Sequence, residues 1–248
     1  MSQKIKAPNE KNNGFLWGLV AIVVIAVVVI AVVVIQGRDR TDSTGIEAED
    51  VNFSVSYADG TITLKSDGAA ADAPVVDVYE DYACHHCADL VEADHADMKQ
   101  ALDDGKLVVN LETVNILDSD GNGGIKPGPA TMGGAVQMAI AKSGNAEAFW
   151  AIHDYVFANQ SDVARNWGYG DYADAAESLG VDKAVVDAIR DESVKDEYLD
   201  VLAGNVDSMK DRGVEGTPAI FVDGEEYQVR RDPNDANKIQ NWVPDVVK

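Results

Sequence analysis

The sequence predicts an α/β domain interrupted by a long all-helical stretch and carried behind one segment apolar enough to cross a bilayer. Three observations lead there. Phe15 to Ile35 is an uncharged apolar run of 21 residues. Between Pro74 and Val114 a β-branched strand, a helix-period stripe and a second β-branched strand follow one another. From about 131 to 212, helix-spaced apolar residues recur with no convincing strand, before a short closing hairpin.

As a helix, residues 15–35 would span about 32 Å, which matches a hydrocarbon core. The run is apolar all round, unlike a surface helix. It exceeds the ~7–15 apolar residues of a cleaved signal peptide, and no small-x-small site follows it. It therefore reads as an uncleaved signal anchor. Lys4, Lys6 and Lys11 precede it, whereas Arg38 and Arg40 are diluted by Asp39, Asp42 and Glu47. That bias puts residues 1–14 in the cytoplasm and the bulk of the chain outside. Residues 36–50 are polar and read as a tether.

Val51, Phe53, Val55 and Tyr57 alternate with polar residues, as do Ile62 and Leu64 after Asp59-Gly60, which is a hairpin pattern. Pro74 to Tyr82 is a strand rich in β-branched and aromatic residues. Cys87, Val91, His95, Met98 and Leu102 then fall on one helix face, ended by Asp103-Asp104-Gly105. Leu107 to Val114 is a second strand, so the unit is βαβ with a parallel pair. A Gly/Pro-rich loop over 115–130 leads to four or five helices. Ala219–Val222 and Tyr227–Val229 form a last hairpin, and Asp232-Pro233 opens a final helix toward Val247.

The net charge is −23, nearly all of it beyond residue 35. A body so acidic excludes nucleic-acid binding through phosphate contacts. Lys outnumbers Arg 13 to 7, against simple salt adaptation, and the acidity reads as solubility. Two cysteines exclude a disulfide-dense scaffold.

Both cysteines lie in Cys84-His85-His86-Cys87, where a strand gives way to a helix. Free N–H groups and the positive dipole end there favour a thiolate at Cys84. His85 and His86 can add charge or hydrogen bonds. Cys87 falls one turn further in, on the buried stripe. Cys84 is then the exposed, acidic sulfur that reacts, and Cys87 the covered one that resolves a mixed disulfide.

Val75-Val-Asp-Val-Tyr-Glu-Asp-Tyr-Ala-Cys-His-His-Cys87 and Val214-Glu-Gly-Thr-Pro-Ala-Ile-Phe-Val-Asp-Gly224 resemble the thioredoxin superfamily, and within it the DsbA-like thiol:disulfide oxidoreductases. The resemblance covers about 74–245. It implies a thioredoxin-like fold with an inserted all-helical domain, preceded by one transmembrane helix. Residues 51–129 would form its first part, 130–212 the insert and 213–248 its second part. The insert accounts for the 134 residues between Cys84 and Pro218. The resemblance further implies a cis proline at Pro218, after Thr217, facing the sulfurs. His86 matches the family histidine, while His85 stands where the family has proline. The family's buried carboxylate position is Val78 here, and Glu80, two residues on, is the candidate substitute as proton relay. Implied partners are reduced exported proteins and a quinone-linked membrane reoxidant; the implied enzyme needs no cofactor.

Other features read as structural. His95 and His153 lie on apolar faces and are expected to pack rather than to complete a zinc site with the cysteines. Trp167, Tyr169 and Tyr172 are expected to pack on the insert. Asp118-Ser-Asp120-Gly-Asn122 resembles half of a calcium loop, but Pro129 stands at its twelfth position. Asn52 and Asn159 begin glycosylation sequons, relevant only in a host that uses them. Three rival functions remain open on the sequence: a membrane-fed reductase or isomerase, a redox-inactive accessory subunit, and a metal-trafficking module.

Overall fold

The computed structural model describes residues 45–248 except Gly123 and Asn237. The expected cytoplasmic head 1–14, the anchor 15–35 and most of the tether lie outside the described residues. Among the described residues no helix is long and apolar enough to cross a membrane.

The hairpin forms as β1 (Ser54–Ala58) and β2 (Thr61–Lys65). Asp59 and Gly60 both take positive φ, the two-residue turn that matches strand twist. Gly60 also has no room for a side chain, since a Cβ would lie 2.7 Å from Asn205 Oδ1. The βαβ unit is β3 (Val75–Glu80), α1 (His85–Asp103) and β4 (Val108–Thr113), with β3 and β4 parallel. Six helices follow: α2 (Pro129–Ser143), α3 (Ala146–Ala158), α4 (Gln160–Asn166), α5 (Tyr169–Ser178), α6 (Lys183–Arg190) and α7 (Ser193–Asp211). β5 (Ala219–Val222) and β6 (Glu225–Tyr227) close the sheet, and α8 spans Val243–Val246. The strand order is β1-β2-β4-β3-β5-β6, with every pair but β3–β4 antiparallel.

Side chains alternate across β3, and both of its faces are covered. Val76 and Val78 join Leu64, Val109, Leu111 and the α1 residues Leu90, Met98 and Leu102 in the larger core. Tyr79, on the opposite face, packs with Phe221 and with Val206 and Met209 of α7. A strand buried on both sides reads as the near-continuous apolar run seen from Val75 to Tyr79.

The structure corrects the sequence reading in three places. The helical stretch holds six helices: α4, of seven residues, falls short of two turns and α6, of eight, barely exceeds them, so neither leaves a long periodic stripe. The closing hairpin ends at Tyr227 instead of Val229. Asp232-Pro233 starts a turn, not a helix: Asp232 N–H donates to the Lys238 carbonyl at 2.9 Å, and Arg231 bridges to Ile239. Residues 231–241 carry no apolar stripe of helical period, so only the last four-residue turn is helical. Trp242, fully buried, donates its indole N–H to Asp94 on α1 and anchors this tail.

The calcium-like loop uses its carboxylates on its own backbone. Asp118 Oδ2 accepts the N–H groups of Gly128 at 2.8 Å and Thr131 at 2.7 Å, and so caps the start of α2. Asp120 Oδ1 accepts from Asn122 at 2.7 Å and Gly124 at 3.0 Å. Asp118 is buried, so its loss strands donors that water cannot reach. Asp118→Ala is expected to lower stability by about 2 kcal/mol, read as a shift in urea midpoint with unchanged slope.

Candidate active site

The turn between β3 and α1 is built around Asp81, which is fully buried. Its Oδ1 accepts the Ala83 N–H at 2.8 Å and its Oδ2 the Leu117 N–H at 3.1 Å. Its carbonyl accepts the Cys84 N–H at 2.9 Å. Gln160 of α4 donates to the Ala83 carbonyl at 2.7 Å. With its neighbours held, Cys84 takes extended backbone angles as the N-cap of α1, and His85 is the first helical residue.

Cys84 and Cys87 are both free thiols. Cys87 is 1% exposed, as its place on the stripe predicts. Cys84 is only 7% exposed, which corrects the expectation of an open sulfur. The loop before β5 covers it: Thr217–Pro218 is cis, and the Thr217 carbonyl lies 3.5 Å from Cys84 Sγ. Beside them runs a groove lined by His86, Thr217, Pro218, Val229, Arg231 and Ile239.

The two sulfurs are driven apart in acidity. A hydrogen bond from the Cys87 thiol is the largest influence on Cys84; the Thr217 side chain and the backbone N–H groups of Cys87 and His86 add to it. Together they outweigh burial and bring Cys84 from 9.0 to about 5. Burial, then the neighbouring Cys84, push Cys87 well above the usual thiol value. The helix start thus contributes, but the partner sulfur contributes more. His86 Nδ1 lies 3.2 Å from Asp89 Oδ2, and the His85 and His86 rings face each other at 3.8 Å.

Glu80 is buried with both oxygens against His153 Nε2, at 3.2 and 3.1 Å. Burial pulls the His153 ring down, and the Glu80 carboxylate more than offsets this, so the imidazole is raised. His95 stacks on Trp150 at 4.3 Å, with its Nδ1 3.3 Å from Asp154 Oδ1, and burial pulls it down to about 4. Neither histidine joins the cysteines. Trp167 packs against Tyr155 and Tyr172 at 5.5 and 5.0 Å, within the helical region.

Asp81 is the functional candidate that the sequence reading missed. Burial, opposed by its two backbone N–H bonds and aided by the charge of Cys84, raises its carboxyl to about 7. The available signal was an acidic pair, Glu80-Asp81, set between an apolar strand and the Cys-x-x-Cys motif.

Residues 68–244 match the family model Thioredoxin_4, described as thioredoxin. The solved MdbA protein of Corynebacterium diphtheriae, a thiol-disulfide oxidoreductase, is 34% identical, with a TM-score of 0.70 over 76% of this chain and 94% of that one. The chain belongs to the thioredoxin superfamily, as a DsbA/MdbA-like thiol-disulfide oxidoreductase. Cys84 and Cys87 are the Cys-x-x-Cys pair of this oxidoreductase. MdbA of Corynebacterium matruchotii is 29% identical, with a TM-score of 0.69 over 78% of this chain and 94% of that one. The oxidised Mycobacterium tuberculosis DsbA, at 22% identity and a TM-score of 0.53 over 72% of this chain and 85% of that one, shares the fold. No curated protein matches the chain.

In the reduced oxidoreductase, thiolate absorbance is expected to titrate with a midpoint near 5. Cys87→Ala removes the leading donor and raises that midpoint. A midpoint unmoved by this substitution would assign the acidity to the helix start alone.

Proposed function

We propose that this oxidoreductase donates disulfides to reduced, exported proteins on the outer side of a membrane, through a mixed disulfide on Cys84. One observation carries the reading: beside a cis-proline groove, Cys84 is acidic while Cys87, one helical turn away, is the reverse. The disulfide-bonded enzyme receives a substrate thiolate at Cys84 Sγ. The new S–S bond forms as the Cys84–Cys87 bond breaks, and Cys87, the poorer thiolate, takes up a proton. A second substrate thiolate then attacks the first substrate sulfur. Cys84 leaves as a thiolate, which its low pKa favours. Two electrons pass to the enzyme and the substrate keeps the disulfide. The backbone around Thr217 holds the extended substrate strand beside Cys84.

A proton source is needed next to the sulfurs. We assign it to Asp81, which interacts with Cys84, in preference to Glu80, which is paired with the buried His153 ring. Asp81 is buried, interacts with Cys84 and has a carboxyl near 7, suited to exchange at neutral pH. The apolar run 15–35 supports a signal anchor that holds the enzyme at the bilayer, with its catalytic domain outside the cytoplasm. Tethering there raises the rate of encounter with a membrane reoxidant, for which a quinone-linked protein is the proposed class.

The sign of the pH dependence follows from Cys84. A folded value near 5 against 9.0 unfolded stabilises the reduced form, by about 3 kcal/mol at pH 7. That contribution is complete above the unfolded value and is lost as pH falls through 5. The disulfide form has no thiolate to stabilise. Reduced protein is therefore expected to unfold at higher urea than oxidised protein at pH 7, with the gap shrinking toward pH 5. Above about pH 9 Cys87, which ionises only when unfolded, works in the opposite direction.

The deciding measurement is the redox equilibrium with glutathione, together with oxidative refolding of a reduced secreted protein. A disulfide readily reduced by glutathione, and refolding lost in Cys84→Ala, are expected. An equilibrium as reducing as thioredoxin's would favour the reductase reading, and unaltered refolding by Cys84→Ala an accessory subunit. Asp81→Asn is expected to slow disulfide transfer about tenfold or more and to flatten its pH profile near 7, whereas Glu80→Gln leaves that profile in place.

A further inference from the structure

His85 is exposed and His86 half-exposed, and their ring centroids are 3.8 Å apart at a tilt of 40°. His86 Nδ1 approaches Asp89 Oδ2 at 3.2 Å, one turn along α1. One ligand atom from each of His85, His86 and Asp89 lies within 4.8 Å of the other two. Asp89 also forms a wall of a separate polar cleft, where Glu92, Asp232 and Asp235 surround Lys238.

We infer that His85, His86 and Asp89 form a binding site for one divalent d-block cation of the zinc class. Two imidazole nitrogens and one carboxylate oxygen are a donor set that such ions take, with a fourth position left to water. Metal–ligand bonds of about 2.1 Å at tetrahedral angles place donor atoms about 3.4 Å apart. With its atoms within 4.8 Å of one another, the trio exceeds that spacing by about 1.4 Å at most, a change that rotation of exposed and half-exposed side chains supplies. The positive end of α1 opposes a cation here. Asp89, and the carboxylates of the cleft it borders, oppose that field. The sulfurs are not part of the site, because Cys84 is turned to Thr217 and Cys87 is buried.

His86 lines the groove beside Pro218, so an ion held on it would stand at the approach to Cys84. Occupancy then restrains mixed-disulfide formation; this consequence rests on the proposed thiol exchange, while the binding itself does not.

The test uses the full-length chain in its disulfide form, because a dithiol binds zinc through its sulfurs whatever the histidines do. Titration with zinc chloride, followed by calorimetry, is expected to show one ion per chain. His86→Asn and Asp89→Asn should each weaken binding at least tenfold, with unchanged far-ultraviolet circular dichroism. A Cys84→Ser/Cys87→Ser double variant and His95→Asn should bind as wild type does. Absence of saturable binding, wild-type affinity in the His86 or the Asp89 variant, or loss of binding in the double-serine variant would each overturn the site. Slower disulfide transfer with zinc, restored by a chelator, is a separate readout. If binding is found without that slowing, the site stands and only its effect on exchange fails.

Discussion

The carboxylate of Asp81 is the constraint on which the sulfur chemistry depends. It is buried in the turn between β3 and α1, where it satisfies the amides of Ala83 and Leu117, and its carbonyl takes the amide of Cys84. Unpaired, those donors would be costly at that depth. Paired, they hold the chain in one geometry, with Cys84 at the helix cap and its sulfur against the Thr217 carbonyl. The same bonds join the Cys-x-x-Cys loop to the segment after β4, and Gln160 extends the tie to the helical region. The inserted helices therefore serve as part of the scaffold of the site.

A second group of polar residues lies deeper. Glu80 faces His153 of α3, and Asp94 of α1 receives the Trp242 indole N–H from the C-terminal tail. Burial raises the Asp94 carboxyl to about 7, against that hydrogen bond and the charge of His153. Buried ion pairs add little net stability over an apolar core, but losing one partner leaves a charge with no compensation. These contacts fix how α1, α3 and the tail meet. Tyr82 belongs to the same neighbourhood, stacked on Phe157 and influenced by both Glu80 and Cys87. Close packing extends to the backbone: a Cβ at Gly133 of α2 would come within 2.6 Å of Tyr82.

The asymmetry between the sulfurs follows from this packing. Two thiols one helical turn apart share a single favourable arrangement, in which the buried one donates and the other accepts. Burial alone would raise both. The donated hydrogen bond and the backbone amides at the helix start reverse the sign for Cys84 only. A dithiol held in this way loses more than a thiol pair in water when it is oxidised, which is the physical basis for reading its disulfide as a donor.

Much of the fold was legible in the sequence because burial leaves a period behind. The alternation around Asp59-Gly60, the double-sided apolar run of β3 and the stripe from Cys87 to Leu102 each appear where expected, and the Cys-x-x-Cys motif and Thr217-Pro218 were visible as motifs. Short elements were not: α4 and α6 offer too few turns, and the segment after Tyr227 has no period to follow. The sequence by itself determined the reactive pair, the sheet core and the helical interruption, because these depend on local pattern and order. Only the tertiary structure decided that Cys84 is covered by Thr217, that Asp81 builds the turn, that Glu80 belongs to His153, and that Asp118 caps a helix. Each of these joins residues distant in sequence or hidden in a loop, where a carboxylate's partner is set by what the fold brings within hydrogen-bonding reach.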